Sequence, residues 1–208
     1  IQTRSQFMSG DMGAVIKDTL AEIHAAEKAG QTPSKEKLGL LMSAAERGKD
    51  QNAYSLGVEK LLTYYPSKEV WAAAISGVQQ KKGFSDRLVL DVYRLRLATG
   101  NMRGEADYMD MSQMAAQAGY ADEGMKVVEA GFAAGVLGQG KDAARHQRLK
   151  DFMVKRVAAV KEAHAAAVAA AKEVKSDGNA LIPLGLAQAQ RGDAKGGIAL
   201  IEEGIGKG

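Results

Sequence analysis

Along this chain, apolar residues recur at the three- and four-residue spacing of a helix face. Block after block is cut off after about 12–16 residues by glycine or proline. A strand would need alternation every second residue, so this pattern cannot be laid onto a sheet. Met12, Val15, Ile16, Leu20 and Ile23 share one face and are followed by Gly30 and Pro33. Leu38, Leu41, Met42 and Ala45 form the next block, which stops near Gly48, and Tyr54, Val58, Leu61 and Leu62 run up to Tyr65-Pro66. Ser67 offers an N-cap to a block with Trp71, Ala74, Ile75 and Val78; Ser85 offers one to Leu88, Val92, Leu95 and Leu97, ending near Gly100. Helices this short, joined by links of a few residues, must turn back on one another as antiparallel hairpins.

Composition supports the same class. The 208 residues include 24 Gly but 3 Pro, so helices are rarely broken from within and often ended or closely approached by glycine. Hydrophobic residues at 46% and charged residues at 25% exclude wholesale disorder. The absence of cysteine excludes disulfides, thiolate zinc sites and a cysteine nucleophile. A net charge of +3, from 28 basic and 25 acidic residues, is too small a surplus to mark a nucleic-acid binder. No apolar run approaches the roughly 20 residues of a membrane span.

The blocks also repeat. Trp71, Ala74, Ile75 and Val78 stand about 33 residues after Leu38, Leu41, Met42 and Ala45. A third unit runs Tyr108, Met111, Ser112 and Ala115, then Gly119, Gly124, Val128 and Gly131. A fourth runs Leu181, Leu184, Gly185 and Gln188, then Gly192, Gly197, Ile201 and Gly204. In this order of large and small residues the chain resembles the tetratricopeptide repeat, whose pattern recurs every ~34 residues. Several units lack the Gly or Tyr of the first helix, and one keeps the terminal proline, Pro66. The resemblance implies an all-α fold, a right-handed superhelix of antiparallel helix hairpins, of the kind found in bacterial repeat proteins.

Residues 141–176 depart from the pattern. From Lys141 to Lys175 there is neither Gly nor Pro, and Ala, Lys and Arg dominate, which predicts one long helix or two abutting ones. Leu149, Phe152, Met153 and Val157 are expected to bury one face, and Ala163–Ala171 to pack loosely or project. The expected organisation is one continuous array, with repeats over 1–140, the irregular segment over 141–176 and a final partial repeat over 177–208. Ile1–Phe7 reads as the tail of a helix, and solenoid ends usually carry a polar cap. A fragment of a longer protein is therefore expected.

Candidate chemistry is thin. Gly135 to Asp142 matches the G-x-x-x-x-G-K of a phosphate-binding loop but places Asp142 where a magnesium-binding hydroxyl belongs, and it follows a helical block. It reads as a connection between helices. His24, His146 and His164 are too scattered for a metal site and read as surface or boundary residues; Met109, Met111 and Met114 read as packing. No local Ser/His/Asp grouping stands out. No catalytic residue, metal or cofactor is expected, and the chain is expected not to be an enzyme.

What remains is surface. The resemblance implies that the first helix of each hairpin lines a concave groove that takes a peptide or helix of a partner protein. Carried onto this chain, the groove candidates are Glu36, Ser43, Glu46 and Arg47, then Glu69, Ser76, Gln79 and Gln80. Met109, Gln113 and Gln117 follow, and after them Asn179 and Gln190. Relatives that clamp a chaperone's terminal carboxylate use Lys, Arg and Asn where this chain has Glu36, Gly39, Glu69 and Ala72, so a polar or basic segment suits it better. The expected role is a non-catalytic protein–protein interaction or scaffold module. The alternative is a nucleic-acid or anionic-surface binder using the basic 141–175 helix, and self-association is a further option. The resemblance, with the missing cysteines, leans toward a periplasmic, exported protein.

Overall fold

The computed structural model describes residues 10–208; the helical tail expected over Ile1–Phe7 lies outside them. Among the described residues there is no strand, and ten α-helices follow one another. They are α1 (Met12–Lys28), α2 (Lys35–Arg47), α3 (Gln51–Tyr64), α4 (Lys68–Gln79), α5 (Val89–Ala98), α6 (Glu105–Gln117), α7 (Ala121–Ala133), α8 (Ala143–Glu173), α9 (Leu181–Gln190) and α10 (Ala194–Gly206). Each of the principal packing partners is the next helix in the chain, so the helices pair as sequential antiparallel hairpins. The chain divides into two compact units, the first ending at Asn101 and the second starting at Met102.

In the first unit side chains cap the starts of α1, α3 and α4, and the cap expected at Ser67 is among them. Asp11 Oδ1 accepts from the Ala14 N–H at 3.0 Å, Asp50 Oδ1 from Asn52 and Ala53 at 3.0 and 2.9 Å, and Ser67 Oγ from Val70 at 3.3 Å. Each such cap satisfies N–H groups that a helix cannot pair internally. The apolar faces then close on one core. Val15, Ile23, Leu38 and Leu41 are fully buried, with Met12, Ile16, Ala53 and Leu61 around them. Burial of a leucine contributes about 1.5–3 kcal/mol, and truncating Leu38 or Leu41 to alanine would cost about 2–5 kcal/mol.

Polar links tie together positions about one period apart. Glu27 Oε1 on α1 accepts from Lys60 Nζ at 2.6 Å and from the Tyr64 hydroxyl at 2.8 Å, both on α3. The Tyr65 hydroxyl donates to the Pro33 carbonyl at 2.9 Å, and Asn101 Nδ2 to the Lys68 carbonyl at 3.1 Å.

The fourth and fifth helices depart from expectation. On α4 Ile75 is the buried apolar residue, and Val78 is 46% exposed. Ser85 caps a 3-10 turn, Asp86–Leu88, rather than an α-helix. Leu88, within that turn, and Leu95 on α5 face out, while Leu90, Val92 and Arg96 are buried. Arg96 is held there by Gln79, whose Oε1 accepts from Nη2 at 2.7 Å, and lies over the Tyr93 ring.

In the second unit, α6, α7 and the start of α8 enclose Met109, Val128, Leu137, Leu149 and Met153. The link after α7 folds inward. Leu137 packs against Gly131, where a Cβ would meet its side chain at 2.7 Å. The loop is pinned by His146, whose Nδ1 accepts the Gly138 N–H at 3.1 Å.

The segment after this link is one helix of 31 residues, α8. Its first turns bury Leu149 and Met153, but Phe152 is 53% exposed, contrary to expectation. From Val154 to Ala170 no residue is fully buried, though Val168 packs near the C-terminal end beside the buried cluster of Ala171, Leu181 and Leu200. Lys207 Nζ donates to the carbonyls of Lys172 and Val174 at 3.0 and 3.3 Å, closing the C-terminus of α8.

Candidate functional site

The first unit carries the larger concavity, about 980 Å³, where the end of α2, the outer face of α3 and the end of α4 leave an open hollow. Its floor is lined by Ala73, Ser76 and Gly77 of α4 and by Tyr54, Ser55 and Leu56 of α3. Charged and amide side chains rim it, namely Glu46, Lys49, Glu59, Lys81 and Lys82 together with Gln51, Asn52 and Gln80. Both charge signs are present, so the hollow suits a polar segment with charges of both signs rather than an apolar ligand.

Sequence reasoning missed Lys49, Gln51, Asn52, Glu59, Lys81 and Lys82 of this rim, and Lys49 differs from the rest in its backbone. It has φ 56°, the one positive φ at a non-glycine among the described residues. At the corresponding helix ends Gly30, Gly100, Gly119 and Gly192 take that conformation. The signal was present in the sequence. Arg191-Gly192-Asp193 places glycine directly before the capping aspartate, whereas Arg47-Gly48-Lys49-Asp50 places a lysine there. The closing bonds are normal, with the Asp50 N–H reaching the Ala45 carbonyl at 2.8 Å, so Lys49 bears the strain of a position that favours glycine.

Of the residues assigned to a groove, Glu46, Ser76 and Gln80 come together in this hollow. The Gln80 Nε2 donates to the Ser76 Oγ at 3.0 Å. Glu36, Ser43, Arg47 and Glu69 are exposed but do not line it. The Glu69 carboxyl is held below its ordinary value by a bond from its own backbone N–H and one from the Ser67 hydroxyl, so it serves the start of α4. Gln79 is engaged with Arg96.

In the second unit, Gln113 and Gln117 line a smaller concavity of about 330 Å³ with Ala116, Phe152 and Arg156. Met109 is buried in the core, which leaves it no surface for a partner. Asn179 and Gln190 are exposed at opposite ends of the α9 region and line neither hollow.

The histidines are not all at the surface. His146 is fully buried, correcting the expectation for it, and its Nε2 lies 3.5 Å from Glu105 Oε2 without a hydrogen bond. Because Nδ1 accepts from Gly138, the ring proton of neutral His146 sits on Nε2, facing that carboxylate. His164 Nε2 pairs with Gln188 Oε1 at 3.0 Å. Among the described residues no three of His, Asp and Glu converge on a point where a metal ion could sit, and no helix is long and apolar enough to cross a membrane. No protein-family model matches the chain, and no curated protein matches it.

Proposed function

We propose that the chain is a non-catalytic interaction module built of degenerate tetratricopeptide-like hairpins, in which the hollow between α2, α3 and α4 holds an extended polar segment of a partner protein. Bonds such as Glu27–Lys60 and Asn101–Lys68 join positions about one repeat apart, as stacked hairpins of a superhelix require. The observation that carries the binding role is Lys49. A residue kept in a conformation that favours glycine, at the rim of this hollow, points to a use for its ammonium group.

The rim divides the work by chemistry. Glu46 and Glu59 would meet cationic side chains of the segment, and Lys49, Lys81 and Lys82 anionic ones. Gln51, Asn52 and Gln80 offer amides that both donate and accept, as an extended backbone needs. A nucleic-acid role for α8 has fewer free cations than its sequence suggests. Lys161 pairs with Asp122 at 3.7 Å, Lys172 with Glu203 at 3.1 Å, and Lys150 stands over the Phe132 ring.

The test is affinity capture from extract of the source organism, comparing the intact chain with a Glu46→Lys, Ser76→Arg double variant. Both positions are exposed, and circular dichroism checks that the variant keeps its helices. A protein retained by the intact chain and lost with the variant supports the reading; identical captures contradict it.

A further inference from the structure

The second unit carries a surface feature that the hollow of the first does not explain. Phe152 is 53% exposed on α8, in a face where its neighbours Leu149 and Met153 are buried. It forms one wall of the 330 Å³ concavity, with Gln113 and Gln117 of α6 opposite and Arg156 one turn further along α8. Arg156 is the single charged residue of that lining. One turn before Phe152 on the same ridge stands Arg148, also exposed. Among the described residues neither arginine takes part in an ion pair. Asp151, the neighbouring acid, is engaged by Gln147 Nε2 at 2.9 Å.

Arg148, Phe152 and Arg156 follow one another at four-residue intervals, a rise of about 6 Å each along a helix. An extended chain places every second side chain on one face at about 6.6–6.8 Å. The two spacings match. We propose that this ridge binds an extended acidic segment in which an apolar side chain is flanked by carboxylates two residues before and two residues after it. The apolar side chain lies on Phe152, and the two carboxylates meet the two guanidinium forks. The Gln113 and Gln117 amides, four residues apart on α6, bond the segment's backbone. Charge complementarity selects the occupant, because the ridge is cationic at both ends and aromatic in the middle. This proposal stands apart from the polar hollow of the first unit.

The probe is a fluorescein-labelled capped peptide of sequence Gly-Asp-Ser-Leu-Ser-Asp-Gly, titrated with the full chain at low salt and followed by anisotropy. Controls are the peptide with both aspartates changed to asparagine, the peptide with leucine changed to serine, and a labelled single-stranded oligothymidylate. Binding of the first peptide is expected to exceed that of either control peptide by about tenfold or more. Arg156→Glu and Arg148→Glu should each weaken it by a similar factor, and Phe152→Ala should too. Lys17→Ala, at an exposed position of α1 that lines neither hollow, should leave it unchanged, and the three ridge substitutions lie outside the first hollow, so failure here is distinguishable from failure of the first reading. All three ridge residues are exposed, and circular dichroism checks that each variant keeps its helices. Equal binding of acidic and neutral peptides, no binding at millimolar chain, insensitivity to the three ridge substitutions, or preference for the oligonucleotide would each overturn the proposal.

Discussion

Gly185 on α9 and Gly197 on α10 lie back to back, so that a Cβ added to Gly185 would meet the Gly197 carbonyl oxygen at 2.5 Å and a Cβ on Gly197 would strike the Gly185 carbonyl. The obstacle is backbone on both sides, which no side-chain rotation relieves. Gly204 and Gly178 approach each other in the same way at the other end of the hairpin. Close approach of backbones, rather than large side chains, defines this contact.

Alanine at either Gly185 or Gly197 should therefore destabilise the chain by about 1–3 kcal/mol in urea unfolding. Gly39, inside α2, has nothing within 4 Å of its missing Cβ. Gly39→Ala should raise stability by about 0.5–1 kcal/mol, since alanine loses less backbone entropy in a helix. Equal effects at Gly39 and Gly185 would remove the close-approach account.

The Glu27, Lys60 and Tyr64 cluster predicts a pH window. Hydrogen bonds from Lys60 and then Tyr64 hold the Glu27 carboxyl below its ordinary 4.5. Its contribution is complete above that value and is lost as pH falls through the depressed one. Lys60 is raised above 10.5 and Tyr64 above 10.0, each chiefly by its bond to Glu27. Their contribution is present below the ordinary values and lost as pH rises through the raised ones. Glu27→Gln should flatten both limbs of the stability–pH curve. Parallel curves for the two proteins would show that the cluster contributes nothing to the pH dependence.

Lys49 separates stability from binding. Lys49→Gly should stabilise the first unit by about 0.5–1 kcal/mol by relieving a positive φ at a residue with a Cβ. The same substitution removes one cation from the hollow and should weaken capture of the partner. A loss of stability, or undiminished capture, would show that the strain has no such use.

Helix positions were legible because each depends on local chemistry. Ser67, read as a cap, caps α4, while Asp11, Asp50 and Asp193, which the reading did not single out as caps, cap the helices that follow them. The glycines of two hairpins were legible for the same reason, since Gly124, Gly131, Gly197 and Gly204 stand at matching places in α7 and α10. Facing was less legible where tertiary contacts decide it. Ser85 begins a 3-10 turn where a helix was expected, and nothing local announced that Arg96 would be buried on Gln79. His146 is buried because the inward fold of Leu137 brings Gly138 to it, a contact made by the loop and not by the spacing of histidines. The hollow was half legible. Glu46, Ser76 and Gln80 were placed by the repeat register, while Lys49, Lys81 and Lys82 lie in the links, to which a rule about first helices assigns no role.

Site-specific photo-crosslinking tests the central claim most directly. A photoreactive residue at Ser76, inside the hollow, is compared with one at Lys17, an exposed position on α1 that does not line it. The account predicts a discrete adduct with a partner protein from position 76, absent from position 17 and lost when Glu46 and Glu59 are both changed to lysine. The same adducts from both positions, or an adduct from 76 indifferent to those charge reversals, would contradict it.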